Sequence, residues 1–210
     1  MTIREGQVRT VRPALPVNIA SLASGARVLA STAGSLNANW LIDDTEATNW
    51  GGVTAGTNVD TSHPFVTVDL AGGLRTVRRV QVSAALGPQP AGGAADANAN
   101  SRFTALRQFR IQACVADCTT AGATWVTIYT SAADAFPATL PRPKAPNLTL
   151  RSFDVKDTRA SALRLVVLEN QCTGYAGYAG EQDNDPQKAT DCKTASDRGQ
   201  FVHVAEFQVF

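Results

Sequence analysis

The sequence is short of charge, of histidine and of long apolar runs, and each shortage closes off a class of function. Only 18% of its 210 residues are charged, against roughly 25% in an average soluble domain. Hydrophobic residues make up 44%, which excludes a solvated disordered tail and supplies enough apolar material for a sizeable core. Lys and Arg number 19 and Asp and Glu 18, a net charge of +1. Without a basic excess there is no footprint for a phosphate backbone, so no nucleic-acid partner is expected. No apolar run approaches the roughly 18 residues of a membrane span, so no transmembrane segment is expected. The opening Met1-Thr2-Ile3-Arg4-Glu5 lacks the charged-then-apolar layout of a secretory signal.

The catalytic shortages are as informative. The histidines are His63 and His203, and neither a His-Glu-x-x-His nor a Gly-x-Ser-x-Gly pattern occurs, so the usual hydrolase machinery is missing and no enzyme activity is expected. His63 precedes Pro64 at a strand entrance, which suits a turn. His203 alternates with Val202 and Val204 and is expected to face solvent. A carboxylate pair for glycosidic cleavage is not singled out by any spacing. The stretch Gly174-Tyr175-Ala176-Gly177-Tyr178-Ala179-Gly180 places glycine at every third position, which matches neither a dinucleotide loop nor a P-loop.

What is present is mostly period two. Phe65-Val66-Thr67-Val68-Asp69-Leu70, Val77-Arg78-Arg79-Val80-Gln81-Val82, Phe109-Arg110-Ile111-Gln112 and Trp125-Val126-Thr127-Ile128-Tyr129 read as half-buried strands. Leu148 to Val155, Ala162 to Leu168 and Val202 to Phe210 continue the series, and no stretch carries a convincing helical face. Short strands joined by Gly, Pro and Asn segments predict an all-β antiparallel sandwich or barrel. The length favours one domain over 17–210, with 1–16 as an arm or linker. Two polar inserts, 87–101 and 171–200, interrupt the pattern. Loops of that length are uncommon without a purpose, and the second insert could present Tyr175 and Tyr178 or be an inert tied loop.

Four cysteines fall in two local pairs, Cys114 with Cys118 and Cys172 with Cys192. Two disulfides are the expected reading, each tying a hydrophilic loop. Zinc is the rival, although structural zinc sites usually draw on two close-spaced knuckles and the second pair is spread across a polar loop. Disulfides predict an oxidising, extracellular location. With no signal sequence at the start, the chain is expected to be a piece of a longer secreted protein, Met1 being an added start.

The segment Leu41-Ile42-Asp43-Asp44-Thr45-Glu46-Ala47-Thr48-Asn49-Trp50 concentrates oxygen donors beside a buried-type aromatic. Calcium takes six to eight oxygens and a tight loop can supply several; an Asp-rich surface turn is the plainer alternative.

At this segment the chain resembles the discoidin family, the coagulation-factor type C domains, which includes galactose-binding-type carbohydrate-binding modules. Asn18-Ile19-Ala20 followed by Ala30-Ser31-Thr32 is similar to the family opening, and Ile42-Asp43-Asp44 through Thr48-Asn49-Trp50 is similar to its Asp-Gly…Thr-x-Trp loop. Phe65 to Leu70 with Val77 to Val80, then Phe109 to Gln112, Trp125 to Ile128, Ala162 to Val166 and Ala205 to Val209 follow in the family's order. The resemblance spans about 17–210 and implies an eight-stranded antiparallel jelly-roll β-sandwich with two long loop inserts.

It also implies one structural calcium (Ca2+), held by the side chains of Asp43 and Glu206, by Thr48 and by backbone oxygens near Ile42 and Thr45. Asp44 stands where the family usually has glycine. Ligand contacts are implied on the loops at one end: Asn39 and Trp40, Arg102, and Tyr175 with Tyr178. Trp40 would either stack on a sugar or pack beneath the metal loop. The family's galactose trio of His, Arg and Asn is incomplete, so galactose specificity does not carry over. The sequon Asn147-Leu148-Thr149 adds little.

The function expected is therefore a non-catalytic extracellular module. Its partners would be a glycan or cell-surface ligand and a parent enzyme domain in the same chain, such as a peptidase or glycosidase. Attachment to a membrane surface or another protein, and a purely structural accessory role, are the alternatives.

Overall fold

A computed structural model of the chain describes residues 16–86, 93–94, 101–178, 192 and 197–210. The arm predicted over 1–16 and most of both inserts therefore lie outside the described residues. Ten strands form in order: β1 (Arg27–Ser31), β2 (Trp50–Val53), β3 (Phe65–Asp69), β4 (Arg75–Ser83), β5 (Leu106–Cys114), β6 (Val126–Thr130), β7 (Arg151–Ala160), β8 (Ala162–Asn170), β9 (Phe201–Val204) and β10 (Glu206–Val209). Helix is confined to short turns, of which α1 (Val59–Ser62) and α2 (Gln171–Gly174) are single α-turns.

Two antiparallel sheets make the sandwich: a five-stranded one in the order β1-β3-β8-β5-β6 and a three-stranded one in the order β10-β4-β7. Together they hold eight strands, the number the resemblance implies. A further ribbon, β2 with β9, closes one side. The last strand predicted, Val202 to Phe210, is broken at Ala205, whose amide turns aside to the Ser83 carbonyl at 2.8 Å. β9 thereby joins the ribbon while β10 continues onto β4.

Alternation explains the inner faces. In β8, the middle strand of the larger sheet, Leu163, Leu165 and Val167 are fully buried. In β4 the spacing Val77-Arg78-Arg79-Val80 breaks period two, and a bulge between Val77 and Arg79 absorbs the extra residue. The amides of Arg78 and Arg79 then share the Phe210 carbonyl, at 2.8 and 3.1 Å. The phase is restored, and Val77, Val80 and Val82 all reach the core. β1 and β2 carry no strong alternation and escaped the sequence reading. β2 instead depends on Gly52: a Cβ there would meet Val202 Cγ1 at 2.8 Å and the Trp50 ring at 2.9 Å. Absence of a side chain lets Trp50, fully buried, lie flat against the ribbon.

His203 is a correction. It is fully buried rather than solvated, because β9 is covered on both faces, with Val202, His203 and Val204 in succession all buried, and is paired at both edges, by β2 and by a bridge from Ala105 to His203 itself. Its Nδ1 lies 2.6 Å from Thr104 Oγ1. The Thr104 hydroxyl spends its proton on the Ser101 carbonyl at 2.7 Å, so it accepts from His203, which must carry its proton on Nδ1. His63 is the turn residue expected, ending α1 in the left-handed region at φ 49°.

Both predicted cysteine pairs are bonded. Cys114–Cys118 closes the start of the β5–β6 connection and Cys172–Cys192 ties α2 to the second insert. No cysteine is free among the described residues, so zinc has no thiolates left to bind.

Candidate functional site

Antiparallel register puts the C-terminal ends of β1, β6 and β8 and the N-terminal ends of β3 and β5 at one end of the larger sheet. The loops carrying every expected ligand and metal residue except Glu206 leave from that end. Two neighbourhoods are built there, one acidic and one aromatic.

In the acidic loop, Leu41 and Ile42 are fully buried and anchor the segment. Asp43 follows, its Oδ2 accepting from Thr48 Oγ1 at 2.8 Å and its Oδ1 from the Thr45 amide at 3.3 Å. Asp44 adopts φ 64°, the left-handed conformation that glycine or a short polar residue supplies. Its carboxylate is pinned by Asn18 Nδ2 at 2.8 Å and by the Ser21 hydroxyl. Glu46 turns away, accepting from the Ser83 hydroxyl and from the Leu150 amide at 2.9 Å. Glu206, at the start of β10, points back at the loop: Oε2 accepts from the Thr45 amide at 3.1 Å.

Glu206 is 1% exposed, and its Oε1 has no hydrogen-bond partner. Burial first, and then the charges of Asp43 and Asp44, push its carboxyl up to about 9. Desolvation likewise raises Asp43. Two carboxyls held up by burial, one with an orphaned buried oxygen, form a setting that a bound cation would stabilise. Among the described residues no three His, Cys, Asp or Glu side chains gather into a metal cluster. A cation here therefore needs hydroxyl and carbonyl oxygens besides Asp43 and Glu206. Thr48 and the backbone of Ile42 and Thr45 are the candidates in this loop, and an all-oxygen set of this kind fits calcium and not zinc.

The aromatic neighbourhood surrounds the turn Arg102–Thr104 and α2. Arg102 is exposed, with Nη1 3.4 Å from the Pro143 carbonyl. Phe103 turns inward against Tyr178, edge to face at 5.2 Å, and Tyr178 meets Tyr175 at 4.8 Å. Tyr178 is a second correction. It is fully buried, its hydroxyl donates to the Thr139 carbonyl at 2.8 Å and accepts from the Thr139 amide at 2.9 Å, and burial pushes its hydroxyl up to about 12. It cannot face a ligand and instead carries Tyr175, which stays half-exposed beside the Arg107 guanidinium at 5.4 Å.

Sequence reading missed Arg107. Its stem crosses Gly174, where a Cβ would come within 2.4 Å of Cδ, and its Nε is buried without a partner, as are Glu169 Oε2 and Gln171 Oε1. The signal available was a charged residue next to the apolar start of a strand, in Leu106-Arg107-Gln108-Phe109.

Asn39 is exposed and Trp40 half-buried in the turn Ala38–Ile42. Gly93 lies against the Trp40 ring, where a Cβ would fall 1.9 Å from Cη2. Asn37 fastens that contact through the Ala94 amide at 2.8 Å and carbonyl at 3.2 Å. Trp40 is thus joined to the first insert and not to the Tyr175 cluster.

No family model and no curated protein matches the chain, but solved structures do. One is CBM32-3 from a family 31 glycoside hydrolase of Clostridium perfringens, with 13% identity, TM-score 0.58, and coverage of 91% of this chain and 94% of that one. A putative chitobiase fragment from Bacteroides thetaiotaomicron gives 16% identity and TM-score 0.54, covering 96% of both chains. CpGH89CBM32-5 of Clostridium perfringens, solved with GalNAc-β-1,3-galactose, gives 14% identity, TM-score 0.51, and coverage of 92% and 99%. At such identities the likeness is one of fold: the chain has the jelly-roll β-sandwich of carbohydrate-binding modules, the galactose-binding-like architecture of the discoidin type.

Proposed function

We propose that this chain is a non-catalytic glycan-binding module of a larger secreted enzyme, using the loop end of the sandwich. The observation that carries the reading is the sharing of fold, over more than nine-tenths of the chain, with modules solved as parts of glycoside hydrolases, one of them holding a disaccharide. Arg102 supplies an exposed donor fork for sugar hydroxyls or an acidic substituent, Asn39 an exposed amide, and Trp40 and Tyr175 partly exposed rings for the apolar face of a pyranose. Tyr178, backed by Phe103, is the support beneath Tyr175.

The acidic loop is proposed as a structural calcium site, with Asp43, Glu206, Thr48 and the backbone oxygens of Ile42 and Thr45 as the holding set. Bound there, the ion would neutralise the buried Glu206 and the half-buried Asp43 and join the acidic loop to the last strand. Two disulfides suit an extracellular setting.

A glycan array with the purified protein tests the reading. Binding to a defined glycan class that Arg102→Ala and Trp40→Ala weaken supports it. Binding to anionic liposomes without glycan binding favours the membrane-surface alternative, and loss of parent-enzyme thermal stability on deletion, with no ligand found, favours the accessory role.

A further inference from the structure

Arg164 lies on the outer face of the five-stranded sheet, held between two aromatic rings. Its Cζ is 4.5 Å from the centroid of Phe65 on one side and 4.0 Å from that of Trp125 on the other. The Nε donates to Thr67 Oγ1 at 3.1 Å. These groups come from separate elements: Phe65 opens β3, Arg164 sits midway along β8, and Trp125 precedes β6. The guanidinium is therefore placed by three parts of the fold.

Nothing described neutralises it. The ion pairs among the described residues are Arg27–Asp69 and Arg78–Asp157, and the Thr67 contact, through Nε, is the hydrogen bond Arg164 makes. Both Nη groups remain available, on a residue that is itself only half-buried. An arginine clamped flat by rings presents those groups edge-on as a fork matching a planar carboxylate, with little left to immobilise on binding. The surroundings extend the same chemistry. Gln112 pairs with Arg164 across the sheet, Arg110 occupies the next position on that face opposite Val166, and Thr127 lies exposed opposite Gln112. The carboxylate on this face of β3, Asp69, is taken up by Arg27 at 2.8 Å.

We propose that this face is a second binding site, for a uronic-acid residue of an acidic polysaccharide. The sugar carboxylate would accept from the Nη groups of Arg164, with Arg110 adding charge, Gln112 and Thr127 meeting hydroxyls, and the half-exposed edges of Phe65 and Trp125 contacting ring C–H. A saccharide fits better than an acidic peptide. β8 and β5 are interior strands whose amides are spent within the sheet, and the edges, β1 and β6, each lie two strands away from β8, so a peptide strand added at an edge would not lie over Arg164, whereas a pyranose needs only side-chain donors and apolar ring contact.

The test is calorimetric titration of the intact protein with oligogalacturonate, its methyl ester and a neutral oligosaccharide of equal length. Binding of the acid form but not the ester is expected, weakened roughly tenfold or more by Arg164→Gln and by Arg164→Lys, since a charge-assisted pair is lost or reshaped. Trp125→Ala should weaken it roughly threefold by freeing the guanidinium, and each Arg164 substitution should have the same effect in an Arg102→Ala background. Lysine preserves the charge, so its failure to rescue separates the clamped fork from simple attraction, and unaltered melting of each variant excludes misfolding. Equal affinity for acid and ester, full binding by Arg164→Lys, no loss from Arg164→Gln in an Arg102→Ala background, or equal competition by polyglutamate would overturn the proposal. These outcomes are independent of whether the loop end binds a glycan.

Discussion

Glu206 accepts a hydrogen bond from the Thr45 amide across 161 positions of sequence, and its other carboxylate oxygen is buried with nothing to bind. The two halves of one side chain describe the acidic loop: a tether already made, and a buried oxygen without a partner.

In the metal-free protein the Glu206 carboxyl stays protonated up to about 9, whereas in the unfolded chain it ionises near 4.5. The folded state then binds the extra proton throughout that window, so stability falls as pH rises from about 4.5 to about 9. Asp43, also raised, adds to the fall in the same direction. Thermal unfolding across pH in a chelator should show this slope, and calcium should flatten it and raise Tm. Glu206→Gln, a neutral isostere, should reduce the slope in chelator and weaken the calcium response, and Asp43→Ala should abolish that response. Equal curves with and without calcium would remove the ion from the fold.

Thr104→Val removes the hydroxyl that stands 2.6 Å from Nδ1 of a fully buried His203. A loss of about 1–3 kcal/mol in urea unfolding is expected. The His203 ring signal in NMR should also change its tautomer balance, which a simple packing defect would not do.

These two residues show where sequence and structure part. Period two located most of the strands because an inner face of Val, Leu and Ile repeats visibly, as in Leu163, Leu165 and Val167. The same rule misplaced His203, since alternation reports one covered face and β9 has two. Tyr178 failed for a related reason: a glycine-flanked tyrosine in a long polar insert looks exposed, and only the fold brings Phe103 and Thr139 around it. The oxygen donors of the acidic loop were readable locally, but Glu206 entered only through resemblance, because no local pattern links a last-strand glutamate to residue 45. Arg164 went unremarked, being one arginine among many until the sheet set it between Phe65 and Trp125.

Removing the longer disulfide by Cys172→Ala with Cys192→Ala frees a loop of sequence separation 20. Stability should drop by about 2–4 kcal/mol. Chemical denaturation of oxidised and variant protein measures the difference, and α2, capped by Asn170, should survive in the variant's far-UV spectrum.

Tyr178→Phe keeps the ring but loses both contacts to the Thr139 backbone. A cost of about 1–3 kcal/mol is expected from the unpaired buried groups, with glycan affinity little changed. If the variant instead loses affinity while its Tm holds, Tyr178 contacts ligand after all.

The most direct measurement is the binding of this protein to a panel of immobilised neutral and acidic glycans in calcium, with Arg102→Ala in parallel. A saturable signal on one glycan class that Arg102→Ala reduces roughly tenfold, with melting unchanged, is the predicted result. No glycan retained above background by a protein that is folded and calcium-loaded would contradict a carbohydrate-binding role for the loop end.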